Sequence, residues 1–316
     1  MRARVTRFGF FGRSELELAC GALPVEVRAQ YGVDSALGGV AVALAYNDGP
    51  REIPAWALPQ AGDPEHFASL ARFVRTHWYA ELSERLKNAV GEIRESFSGV
   101  GMDPGPPRAW RRLVNSRLPE RRLALAAGIG SLGRSGLVLV NGAGPGCVLG
   151  LLLTPFDPSN ADSSLASWNP AIFTPKAHHF PTPSSFSEAC EGCEACVAAC
   201  PTGALSLGGN FHRELCLQEW SAKPGPLPPF IEERWGPRLY GCDACLEACP
   251  RFSPATDADS ELGRLGPGVC VARVLAASDE ELKGKLKGSA LGLGWISAES
   301  LKRNARTASN FSSSAI

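Results

Sequence analysis

Eight of the chain's 11 cysteines fall between Cys190 and Cys249. Cys190, Cys193, Cys196 and Cys200 stand in "CEGCEACVAACP", the C-x2-C-x2-C-x3-C-P spacing of bacterial iron–sulfur ferredoxins. A tight loop aims the first three thiolates at one cubane, and the cysteine before proline reaches a second cluster. The second motif, "CDACLEACP", carries only Cys242, Cys245 and Cys249, and Leu239 stands where its first cysteine is expected. Cys216, in "HRELCLQEW", is the one cysteine between the motifs and completes the count. The pattern predicts two 4Fe–4S clusters, one on Cys190, Cys193, Cys196 and Cys249, the other on Cys200, Cys216, Cys242 and Cys245. Zinc, which also takes four thiolates, is the competing reading, and the two Cys-Pro endings weigh against it. A disulfide scaffold would suit a short secreted chain. Cys20, Cys147 and Cys270 stand alone and read as small buried apolar residues.

The elements that must position these thiols lie in a chain of 316 residues, 44% hydrophobic, long enough for one large domain or two smaller ones. Lys+Arg and Asp+Glu are both 32, so overall charge gives no argument for a nucleic-acid binder. Charges interrupt every apolar run of "MRARVTRFGFFGRSELELACG", which lacks the core of a secretory signal, and no stretch has the length and apolarity of a membrane span. These readings predict a soluble, cytoplasmic protein.

Residues 38–46 alternate as a buried strand. A long helix is predicted to follow, capped by Asp63 with Pro64 in its first turn and striped by Phe67, Leu70, Val74, Trp78, Leu82, Leu86, Val90 and Ile93. A short helix over 119–127 runs into "GIGSLGRSG", and "LVLVN" and "CVLGLLLT" then read as a hairpin or as neighbouring strands. Gly128, Gly130 and Gly133 spell the dinucleotide fingerprint, but helix precedes strand here and the fingerprint needs the reverse order. Residues 155–188 are rich in Pro, Ser and Asn and read as a functional loop or linker, with His178 and His179 as surface residues. Two helices close the chain, one near Asp279–Leu286 and one capped by Ser297, before a frayed "SSSAI". Lys302, Arg303 and Arg306 read as a solvent face, with phosphate contact as the alternative. The expected domains are 1–155, a connector 156–189, the cluster module 190–255 and a helical region 256–316. Clusters only carry electrons, so the large region before the module implies a second cofactor or a partner.

Further motifs carry a resemblance. "CEGCEACVAACPTGAL", "RLYGCDACLEACP" with its lone middle cysteine, "AAGIGSLGRSGLVLV" with "LGLLLT", "RFVRTHWYAELSERL" and "LKRNARTASN" cover roughly residues 35 to 310. On them the chain resembles the cobalamin-dependent epoxyqueuosine reductases, which complete queuosine in tRNA, and more distantly the reductive dehalogenases. The resemblance implies an α+β fold: a nitroreductase-like mixed sheet holding cobalamin, a ferredoxin-like module of two 4Fe–4S clusters, and C-terminal helices. Gly128, Gly130, Gly133 and Arg134 would line the corrin, and the clusters would deliver electrons to it. It also implies an external electron donor of ferredoxin or flavodoxin type, tRNA as a candidate partner, no membrane, and a monomer.

The chain departs from that family near the substrate. The family's acid sits in a "V-D-S-A-P" segment; here the segment is "LVNSRLPERR", with Asn115 at the acid's position. Asparagine hydrogen-bonds but gives up no proton, which leaves Asp103 and Glu120 as substitutes. Trp78-Tyr79-Ala80 replaces "D-Y-H", Ser131 replaces a tryptophan, and Gly-Leu-Gly follows "GSAL" where a basic residue is usual. Three functions are compatible with this pattern: an epoxyqueuosine reductase, a corrinoid reductase of another, smaller substrate, or a non-catalytic carrier that reduces a corrinoid partner.

Overall fold

The computed structural model describes residues 5–46, 52–99, 101, 103–158, 186–254, 260–292 and 294–311. Its strands, numbered along the chain, are β1 (Arg7–Gly12), β2 (Gly38–Ala45), β3 (Phe67–Leu70), β4 (Arg111–Val114), β5 (Gly130–Leu132), β6 (Val138–Val140), β7 (Cys147–Thr154), β8 (Arg238–Tyr240) and β9 (Gly268–Cys270). The α+β character expected from the sequence is what these elements build. Two units result: Met1–Ala45 with Glu81–Gly133 and Leu137–Glu191, and Tyr46–Ala80 with Arg134–Gly136 and Gly192–Ile316. β3 belongs to the second unit because it pairs with β8, within the cluster module, and with β9, after it, rather than with the N-terminal sheet.

In the first unit the apolar runs of β2 and β7 form the centre of an antiparallel sheet ordered β1-β2-β7-β4. Phe11, Leu16, Leu123, Ile129, Leu151 and Leu153 are its buried core, to which the helices Arg13–Cys20 and Glu120–Ala126 contribute. "LVLVN" and "CVLGLLLT" do not pair with each other as a hairpin would. β6 pairs with β5, and β7 with β2 and β4. The intervening glycines cause this: Gly142 and Gly144 adopt positive φ and close a local turn through a Val140–Gly144 bridge.

In the second unit β3 lies between β8, parallel to it, and β9, antiparallel. The core there includes Leu70, Val74, Trp235, Leu239, Leu301 and Ala305. The single long helix expected from Asp63 onward is corrected. Phe67–Leu70 is strand, Arg72–Arg75 is one helical turn, and the long helix runs only from Trp78 to Gly99. The apolar stripe coincided with helical spacing, but Ala68 and Leu70 are the buried pair, an alternation that the small Ala68 disguised. Asp63 accepts from the Gln60 N–H at 2.9 Å and closes a turn instead of capping. The long helix is capped by His77, whose Nδ1 accepts from the Ala80 N–H at 3.3 Å, and burial lowers that imidazole's pKa.

The terminal helices Asp279–Leu286 and Ala298–Ala308 stand where expected. Ser297 accepts from the Ser300 N–H at 3.0 Å, and Ser278 with Glu281 forms a full capping box. Among the described residues no helix is long and apolar enough to cross a membrane. Most of the connector with His178 and His179, and the whole of the terminal "SSSAI", lie outside the described residues.

Candidate iron–sulfur centre

The first cysteine motif is shaped by its own chain. Ser187 caps the turn Glu188–Cys190, accepting from the Ala189 N–H at 3.3 Å. Gly192, between Cys190 and Cys193, has φ 64°, which reverses the chain at little steric cost. Cys196 is buried on the short helix Ala195–Ala198, and Cys200 ends the motif before Pro201. Burial pushes the Cys200 thiol up, but N–H donors of Thr202, Leu205 and Ala204 and the Thr202 hydroxyl converge on its sulfur and leave its pKa lowered overall. Such N–H···S bonds favour a thiolate and tune the potential of a cluster bound to it.

The second motif is shaped by tertiary contacts. Gly241 has φ 86°, and a Cβ there would overlap the Cβ of Ala71. Asp243 stands at the N-cap of the helix Ala244–Glu247 and accepts from the Arg72 N–H at 2.8 Å. The Arg72 guanidinium pairs with Glu247 at 2.9 Å and lies over the Phe252 ring. Burial raises the Asp243 pKa. Cys216 precedes the helix Leu217–Ala222, where the N–H groups of Glu219 and Gln218 reach its sulfur; burial nonetheless raises its pKa, as do the charges of Cys242 and Cys200. The Cys245 thiol is pushed up to about 12 by burial and then by Cys242, Cys216, Cys196 and Cys200.

Those mutual effects identify neighbours. Cys200, Cys216, Cys242 and Cys245 converge, with Cys196 of the other set adjoining Cys245. The helices bearing Cys196 and Cys245 pack together. Buried thiols that repel one another's charge become thiolates when a cationic centre binds between them. Around one zinc ion the sulfurs would stand roughly 4 Å apart. Among the described residues no three His, Cys, Asp or Glu side chains stand close enough for a single metal ion. Cys249 closes the second motif before Pro250, and Cys190 stands one residue before the end of the first unit at Glu191. Cys20 and Cys270 are buried and Cys147 is half-buried, as small apolar residues would be.

Asn115 ends β4 with φ 54°, the only non-glycine residue of positive φ among those described, and asparagine tolerates that conformation better than most residues. The carboxyl touching this turn is Glu120. It accepts from the Ser116 N–H at 2.7 Å and the Ser116 hydroxyl at 2.9 Å, and also from the Asn115 N–H. Burial outweighs these donors and pushes Glu120 up to about 7. Asp103, in contrast, is exposed and closes a local turn with the Gly105 N–H.

The glycine segment has internal reasons for its glycines. Gly128, at φ 68°, follows the end of the helix Glu120–Ala126. A Cβ on Gly130 would strike the Leu139 carbonyl, and one on Gly133 would sit 3.0 Å from the Leu137 carbonyl. Gly128 is exposed and Gly130 half-buried, whereas Gly133 is buried and offers no surface to a flat ligand. Arg134 donates to the Leu207 carbonyl.

Two residues of the final helix matter more than their sequence suggested. Arg303 was expected on a solvent face, but its guanidinium donates to the carbonyls of Trp220, Lys223 and Gly225. Asn304 is fully buried beside it. Their partners are far along the chain, so no local spacing pointed to them. Lys302 pairs with Asp279 at 2.8 Å, and Arg306 is exposed.

Comparison with known proteins defines first a class. Residues 189–251 match the family model of the 4Fe-4S double cluster binding domain. Over more of its length the chain is similar to the epoxyqueuosine reductase of Bacillus cereus, with 24% identity across 84% of this chain. It spans 62% of that relative's length. The structure of epoxyqueuosine reductase from Streptococcus thermophilus superposes with a TM-score of 0.68 at 20% identity, covering 97% of this chain and 77% of that one. A crystal structure of epoxyqueuosine reductase with an epoxyqueuosine-modified tRNA-Tyr stem loop gives 0.67 at 22% identity, covering 97% and 77%. The fold is therefore that of these structures.

Proposed function

We propose that the chain is an iron–sulfur oxidoreductase of the epoxyqueuosine reductase type, with a nitroreductase-like sheet and two 4Fe–4S clusters. The observation that carries this reading is the convergence of Cys200, Cys216, Cys242 and Cys245 within a matched double-cluster module. When bound, the clusters supply electrons one at a time. The chain's part is to hold them: Cys190, Cys193, Cys196 and Cys249 take one, and the converging set takes the other. The N–H groups around Cys200 favour its thiolate.

Cobalamin enters through the resemblance, at Gly128, Gly130 and Arg134; the buried Gly133 does not fit as a lining residue. An external ferredoxin or flavodoxin would supply electrons.

The substrate follows from the acid. Reducing an epoxide to an alkene consumes two electrons and two protons and releases water, so a group must protonate the leaving oxygen. Asn115 cannot. Glu120 holds a proton near neutrality, but its carboxyl is engaged with the Asn115–Ser116 turn. This departure supports a substrate other than epoxyqueuosine in tRNA.

Two experiments test the reading. Anaerobic reconstitution should load about eight iron and eight sulfide per chain, with added cobalamin binding in its base-off form by absorption. Zinc loading in place of iron would overturn the cluster assignment; clusters without cobalamin binding would leave a carrier. Turnover on epoxyqueuosine-tRNA should be poor in the wild type and rise in Asn115→Asp, by up to roughly 10²–10⁴-fold. The swap suits the same backbone conformation. Efficient wild-type turnover would restore the tRNA reaction.

A further inference from the structure

Asn304 lies on the C-terminal helix Ala298–Ala308 and is 0% exposed. Its Nδ2 donates to the Ser221 carbonyl at 2.9 Å and to the Leu239 carbonyl at 2.8 Å. Ser221 belongs to the helix Leu217–Ala222, which Cys216 precedes. Leu239 belongs to β8, which runs directly into Gly241 and Cys242. One amide thus ties together the two backbone segments that deliver Cys216 and Cys242.

The amide is itself fixed. Its Oδ1 accepts from Arg303 Nε at 3.1 Å and Nη2 at 2.7 Å. The same guanidinium donates to the Lys223 and Gly225 carbonyls, each at 2.6 Å, and to the Trp220 carbonyl at 2.9 Å. Ser300 Oγ adds a bond to the Lys223 carbonyl at 3.3 Å. The last carbonyls of a helix lack intrahelical partners, and side chains from another helix supply them here. Position 304 needs two donors for carbonyls and one acceptor for a guanidinium, all in a buried site. Asparagine meets that demand; aspartate lacks the donors and leucine lacks all three.

We propose that Asn304, held by Arg303, is a positioning residue for the second cluster: it sets the spacing of the Cys216 and Cys242 segments and thereby the geometry and potential of the cluster they share. This rests on the assignment of Cys200, Cys216, Cys242 and Cys245 to one cluster. A cubane accepts four thiolates only in a fixed arrangement, and two of these four come from segments that Asn304 joins backbone to backbone from a fully buried place; the Tyr240 side chain of β8, bonded to Ser221 and Gln218, adds a second tie between them. The first cluster depends on it less, because Cys190, Cys193 and Cys196 follow one another within seven residues and only Cys249 comes from the second motif.

The test uses the full chain, reconstituted anaerobically and reduced stepwise, with the two clusters followed by electron paramagnetic resonance. Asn304→Asp should lose the second cluster's native signal or shift its midpoint potential while leaving the first unchanged, with iron falling toward half. Arg303→Lys keeps the charge but cannot bridge Oδ1 and the carbonyls together. It should shift the second potential without loss of iron, and it carries the test if Asn304→Asp does not fold. Native signals and potentials for both clusters in the folded variants would overturn the proposal. So would parallel loss of both clusters, which a general loss of stability gives. Cys216→Ser run alongside separates the two layers: if it spares both native clusters, the cluster assignment fails rather than the role of Asn304.

Discussion

The two cysteine motifs hold equivalent residues in different ways. Glu194 and Asp243 each stand at the N-cap of the helix that carries the middle cysteine, yet Glu194 is exposed while Asp243 is half-buried and bonded to the Arg72 N–H. Gly192 and Gly241 each precede a cysteine with positive φ, yet a Cβ on Gly192 would meet nothing within 4 Å and one on Gly241 would overlap Ala71. The first motif is a self-sufficient turn. The second is a turn set into a core. This accounts for the missing cysteine: Leu239 is 2% exposed in β8, packed in the core with its carbonyl on Asn304, so its place is spent on structure. In the proposed assignment the fourth thiol comes instead from Cys216.

Substitution at the paired glycines separates the motifs most. Gly241→Ala should destabilise the chain by roughly 2–5 kcal/mol, from left-handed strain added to overpacking, and should disturb the second cluster. Gly192→Ala should cost roughly 1–2 kcal/mol, from strain alone. Denaturant unfolding of the two variants measures both, and equal losses would erase the contrast.

The paired caps give a smaller difference. Asp243→Ala removes the acceptor of a half-buried N–H and should cost about 1–2 kcal/mol. Glu194→Ala, at an exposed position, should stay within about 0.5 kcal/mol. A larger loss at Glu194 would show that the first motif is also braced from outside.

A further prediction lies away from both motifs and serves as a control. Glu120 is raised from its ordinary 4.5 to about 7, so its contribution to stability is fully present below pH 4.5 and is lost as pH rises through about 7. Glu120→Gln should therefore flatten the fall in melting temperature between acid and neutral pH while leaving both clusters intact. An unchanged pH profile would contradict the burial of that carboxyl.

This contrast also explains what the sequence made legible. The double-cluster module was readable because iron–sulfur spacing is a local signal, and its family model matches residues 189–251; the place of Cys216 in it rests on counting. Strand β2, the two terminal helices and the Ser297 cap were readable for the same reason, since period and capping act within a few residues. Strand β3 was not, because "FASL" takes its conformation from β8 and β9, distant partners that override a helical stripe. Arg303 looked solvent-facing and Asn304 drew no attention, since their roles depend on carbonyls far along the chain. The glycine segment shows the opposite failure. Its pattern invited a ligand-based reading, and packing against Leu139 and Leu137 already requires two of its glycines.

The central claim is that two clusters share the module and that Cys216 belongs to the second. Mössbauer and electron paramagnetic resonance spectra of anaerobically reconstituted Cys216→Ser test it most directly. The account predicts that one 4Fe–4S cluster is lost or converted to a different form while the other keeps its wild-type spectrum. Retention of both native clusters, or loss of both, would contradict it.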